Sequence, residues 1–176
     1  MPLFALALGI VCFASAFLVL GLWHMSESHR VLIDCLAELE EDEVVVLANE
    51  CMRVFSARFE ERLSLDNLTA SVDSLERVVM RQRLEPLKRA FASEEIYWRY
   101  VVVVGAFLGE LVRRQVPASW IREEDGLALR VADGRTPRTL RPFELVLHHV
   151  MAGHPGELRA QVRAIIEGSD ELRAAA

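Results

Sequence analysis

Glu110 is the residue in this sequence best placed for acid–base chemistry. It follows Gly109 and stands one helical turn before Arg113 and Arg114. A carboxylate partly buried on a close-packed helix can carry a raised pKa and move protons. The same group can instead serve structure, held by an arginine such as Arg141 or by the indole N–H of Trp120, so that it locks a helix to the segment after it. Glycosidase-type chemistry needs a second acid at a set distance, and no spacing in the sequence supplies one. The structural role is therefore the expectation.

His148, His149 and His154 form the second candidate region, for an unrecorded enzyme or a metal site. Adjacent residues on a helix point about 100° apart, so His148 and His149 do not converge on one ion. His149 and His154 are five residues apart, which is not the His-x-x-x-His spacing of zinc helices. Capping or surface roles are expected, with His154 in an N-cap-like position before Pro155. Cys35 and Cys51 lie on amphipathic patterns with no histidine near them in sequence. The chain has no Gly-x-Ser-x-Gly, no Cys-x-x-Cys-His and no glycine-rich phosphate loop. The acidic run Glu40-Glu41-Asp42-Glu43 lacks a Gly or Asn to shape a cation loop and reads as a solvated helix start. No cofactor and no metal are expected.

These residues must be positioned by helices and a small sheet. Residues 29–63 carry apolar positions at helical spacing, with an interruption near the acidic run, and Ser71 to Arg83 follows with Val72, Leu75, Val78 and Val79 on one face. Arg77, Arg81 and Arg83, joined by Lys88 and Arg89, make the other side basic. It reads as a solvated face or as a patch for an acidic partner or anionic headgroups. Glu94 to Gln115 reads as a helix despite Val101-Val102-Val103-Val104. Its acids lie at the start and Arg113-Arg114 at the end, as the helix dipole favours. Gly105 and Gly109, one turn apart, offer a surface on which another backbone can pack closely. Beyond Pro117 the period changes. Ser119 to Arg122, Leu127 to Val131 and Thr136 to Leu140 are short strand candidates around turn signals. Pro142 opens a helix that stops at Gly153, and Pro155 opens a last one that stops at Gly168. The domain, residues 26–176, is expected to be one compact, helix-rich α+β unit: three helices, a small antiparallel hairpin or three-stranded sheet, and two C-terminal helices.

Ahead of it lies a membrane anchor over residues 1–25. Leu3 to Trp23 is twenty-one residues without a charge, an Asn, a Gln or a Pro. A helix of that length covers a hydrocarbon core of ~30 Å. Ala14-Ser15-Ala16 resembles a signal-peptidase site, but it sits inside the apolar run, and no Lys or Arg precedes the run. A start at Met25 would give a soluble protein. Arg30, with His24 and His29, follows the run, so the positive-inside rule places a single-pass protein in the inner membrane with its domain in the cytoplasm. Ala5, Gly9, Cys12 and Ala16 give that helix one face of small residues, where a second membrane helix can approach.

The net charge of −6 is uneven. Residues 26–67 hold eleven acids and four bases, residues 68–122 six acids and nine bases. That distribution does not favour nucleic acid, whose binding domains are net basic. It fits internal pairing or an oriented protein-partner surface.

Leu65-Asp66 with Ser71-Val72-Asp73-Ser74-Leu75-Glu76, then Gly105-Ala106-Phe107-Leu108-Gly109-Glu110, Trp120 and Arg141-Pro142-Phe143, resemble an "L-D … S-x-x-S-L" and "G-A-Y-L-G-E … W … x-P-F" series. That series is similar to a family of small bacterial domains of unknown function that includes toxin-immunity proteins. The resemblance spans residues 45–167, implies a similar α+β fold and carries over no catalytic residue. Phe107 stands where the pattern has Tyr. The function expected from these readings is a non-catalytic, membrane-anchored interaction domain, an accessory subunit or adaptor. The second expectation is an immunity-type protein that neutralises a toxin at the membrane. The third is an enzyme or metal-binding protein using Glu110 or the histidines.

Overall fold

The computed structural model describes Asp34 and residues 36–83, 94–132 and 137–173. The anchor segment, with Gly9 and Ala16, lies outside the described residues. Among the described residues no helix is long and apolar enough to cross a membrane. The elements of the described residues run in the order α1 Glu41–Phe59, α2 Leu68–Arg83, α3 Glu94–Gln115, β1 Ala118–Glu123, β2 Gly126–Val131, β3 Arg138–Leu140, α4 Pro142–Ala152 and α5 Glu157–Arg173. The expected class holds: helix-rich α+β, with three helices, a three-stranded antiparallel sheet and two helices.

The backbone is helical at residues 36–37 and breaks at 38–40, the interruption expected near the acidic run, and α1 then ends at Phe59 rather than at residue 63. Its acidic first turn lies on the positive end of the dipole, and the Glu40 N–H donates to the Glu43 carboxylate at 2.9 Å. Val44, Ala48, Cys51 and Phe55 are buried along one stripe. Glu60 then takes a left-handed conformation (φ 58°) with its N–H donating to the Phe55 carbonyl, and the helix stops.

The segment before α1 is tied to the hairpin. Arg122 on β1 donates to the Ala37 and Leu39 carbonyls at 2.9 and 2.5 Å, and Leu36 is buried. A β carbon on Gly126, the turn residue with φ +118°, would lie 2.7 Å from that of Leu36. Glycine is required there both for the turn and for this approach.

The second helix begins three residues earlier than Ser71, after a loop pinned by side chains. Ser71 Oγ donates to the Ser64 carbonyl and accepts from the Ser64 N–H, while Ser74 Oγ donates to Glu61.

Helix α3 is the centre of the molecule. It packs against α1, α2, α4, α5 and two strands. Val101 and residues 103–112 are buried and Val102 is half-buried, so the four valines serve a helix largely enclosed by neighbours, where local strand preference is overridden. In the sheet, Trp120 pairs with Leu129 and Leu129 with Leu140, one buried row across all three strands. Helix α4 starts at Pro142 as expected. Helix α5 does not stop at Gly168 but runs through it to Arg173. One glycine in a helix costs only ~1 kcal/mol against Ala, too little to end it alone.

Candidate functional site

Gly105, Gly109, Glu110, Trp120, Pro142 and Phe143 converge at one junction between α3, β1 and α4. A β carbon on Gly109 would fall 2.2 and 2.4 Å from two carbons of the Trp120 indole and 3.2 Å from Pro142. One on Gly105 would fall 2.5 Å from the Phe143 ring and 2.9 Å from its Cα. The Trp120 and Phe143 rings are 5.9 Å apart, centroid to centroid. The two glycines are therefore seats for two aromatic side chains. Neither has room for a methyl group.

Glu110 is 2% exposed. Its Oε1 accepts from the Trp120 indole N–H at 2.8 Å, and Arg113 grips both carboxylate oxygens at 2.8 Å each. Burial pushes the Glu110 carboxyl up, but the Arg113 and Trp120 hydrogen bonds outweigh it and hold the group below the ordinary carboxylate range. A carboxylate held ionised by three donors is a poor proton donor at neutral pH. It is a clamp between helix and strand. Charge-assisted bonds of this kind are the strong ones.

Arg141 is not part of the clamp. It pairs with Glu123 at 2.9 Å, Glu144 at 3.3 Å and Asp125 at 3.5 Å, tying the hairpin to the start of α4. Arg113 takes the place considered for Arg141 because it lies three residues beyond Glu110 on the same helix face.

The remaining motif residues are also in structural use. Asp66 pairs with Arg114 at 3.1 Å, Leu65 and Leu75 are buried, and Phe107 is fully buried in the core. The Arg77 guanidinium grips Glu61 and, with Ser74, holds its carboxyl below the usual range. That uses one arginine of the basic face, and Arg159 on α5 meets Asp73 of the same helix at 2.8 Å.

The three histidines do not converge. His149 is 1% exposed, not a surface residue, and its Nε2 lies 4.0 Å from Glu76. Glu76 is itself buried and accepts the Gly156 N–H. His148 is half exposed, 3.9 Å from Glu157. His154 is exposed and donates its backbone N–H to Glu157 at 2.9 Å, three residues ahead of the helix start at Glu157. That hydrogen bond lowers the Glu157 carboxyl. Among the described residues no group of three or more His, Cys, Asp or Glu side chains is placed to hold a metal ion. Cys51 is fully buried, and burial first, then the Glu50 charge, push its thiol up, away from the reactive thiolate.

The sequence pattern missed one surface. Val45 and Val46 are 43% and 66% exposed. Val45 lines an open groove of about 340 Å³ with Glu41 and Asp42 of α1, Glu110 and Arg113 of α3, and Trp120 of β1. A signal was present. Three consecutive valines at 44–46 span most of a helical turn and cannot all face one core.

No family model matches the chain, and no curated protein or solved structure matches it.

Proposed function

We propose that this protein is a membrane-anchored, non-catalytic interaction domain, an accessory subunit or adaptor of a membrane protein complex. The observation that carries the reading is the commitment of Glu110. The one carboxylate suited by sequence to proton chemistry is spent on Arg113 and Trp120, holding α3 to β1. What the domain presents outward beside that clamp is an apolar and acidic surface suited to protein contact. The anchor reading of residues 3–23 adds the membrane. The single arginine after the anchor supports a cytoplasmic position for the domain at the inner membrane.

In this reading the small-residue face of the anchor meets a membrane helix of the partner. Lipid tails are as apolar as leucine, so close packing rather than hydrophobicity drives such contacts. The test is a Gly9→Leu, Ala16→Leu double variant. It is expected to remain in the membrane after alkaline carbonate extraction and to lose the partner that the native chain brings down in mild detergent. Retention of every partner would reduce the anchor to a tether.

A further inference from the structure

We propose that the groove between the first turns of α1, Arg113 and Trp120 docks a cationic, aliphatic-bearing juxtamembrane segment of the partner membrane protein. The inference rests on the membrane-anchored reading given above and names the chemistry of the contact. Three carboxylates and one guanidinium line the groove. Glu110 and Arg113 neutralise each other at 2.8 Å. The charge left facing solvent is that of Glu41 and Asp42, both exposed, with exposed Glu38 and Glu43 adding to the same field, while Glu40 is offset by Arg122 at 4.0 Å. Val45 and Val46 supply apolar area beside it. An occupant therefore needs Lys or Arg for the rim and one or two aliphatic side chains for the valines.

Position along the chain selects where such an occupant comes from. The backbone reaches α1 through Leu36 and Leu39, held against the hairpin by Arg122. Only ten residues separate Trp23, the end of the anchor, from Asp34. At ~3.3–3.6 Å per residue the first described residue stands at most about 40 Å from the membrane boundary. Tethered at that distance, the acidic face is within reach of segments that flank a membrane span. Anionic headgroups repel it. Cytoplasmic segments flanking membrane spans, in contrast, are enriched in Lys and Arg within ~15–20 residues of the span. Charge and reach together select a protein segment of that kind.

The test uses the full chain in its native membranes with a photo-crosslinking residue at Val46, beside the groove and clear of its floor. The expected adduct is a Lys/Arg-rich peptide of a membrane protein, within about 20 residues of one of its spans. Neutralising the rim (Glu41→Gln with Asp42→Asn) or raising the salt is expected to lower the yield roughly fivefold or more. Circular dichroism of the double variant should show the helical content of the native chain, since both residues are exposed. Adducts on phospholipid, on an acidic or soluble segment, or insensitive to charge and salt would each overturn the proposal, as would no adduct. Co-purification of a partner is read separately. A native chain that brings down a partner but gives no groove adduct defeats the docking site alone, whereas no partner for the native chain defeats the underlying reading.

Discussion

The Trp120 indole sits against Gly109, with 2.2 Å between its ring and the place a β carbon would take. Its N–H meanwhile reaches Glu110, the next residue on α3. One aromatic side chain on a strand thus reads two consecutive helix residues, one by shape and one by charge. The junction at the centre of the domain depends on both.

Gly109→Ala is expected to destabilise the domain by about 1–3 kcal/mol, the usual range for overpacking, and Gly109→Leu by more. The gain that Gly→Ala gives where a methyl group fits is not available at this contact. Gly105→Ala, which meets the Phe143 Cα at 2.9 Å, belongs in the same range. Thermal unfolding of the three variants checks this. An unchanged melting temperature in Gly109→Leu would contradict the packed junction.

The clamp makes stability pH-dependent in a stated direction. Glu110 has a folded pKa below its ordinary value of 4.5, so the unfolded state binds more protons in acid. Its contribution is full above about pH 4.5 and is lost as pH falls through the folded pKa. Urea midpoints from pH 7 to pH 3 should fall more steeply for the native chain than for Glu110→Gln. Glu110→Ala leaves the indole N–H and Arg113 without their acceptor and is expected to cost about 1–3 kcal/mol at pH 7. In a double-mutant cycle with Trp120→Phe the two losses should not add. Additive losses would mean that the hydrogen bond contributes nothing.

Much of this junction was legible in the sequence because its parts are local signals. Glycines one turn apart inside a helix need a reason, and the Glu110 carboxylate had Trp120 as an available donor. Helix α3 and the three strand segments followed from periodicity and turn residues. Choosing Arg113 over Arg141 was not legible. Both guanidinium groups were within plausible reach, and helix-face geometry decides between them only once Arg141 is seen to pair with Glu123. His149 was missed as a buried residue because Glu76, which meets it, lies more than seventy positions away in sequence. The end of α1 was missed for a different reason: Glu60 adopts the left-handed stop that glycine usually supplies.

That stop yields a further expectation. A non-glycine residue in the left-handed region is strained by roughly 1–2 kcal/mol. Glu60→Gly relieves the strain but loosens the unfolded chain, which offsets part of the gain. The net effect expected is a stabilisation of up to ~1 kcal/mol, read from the urea midpoint. A clear loss of stability would show that the Glu60 side chain, rather than its backbone, matters there.

The claim that the protein is a membrane-anchored partner-binding domain is tested most directly by native mass spectrometry of the intact chain, purified from membranes in mild detergent. The expected result is a complex heavier than the 19.9 kDa chain, containing a second membrane protein and the uncleaved N-terminus. A chain recovered in the soluble fraction, cut near Ala16, or alone at 19.9 kDa in the membrane extract would contradict it.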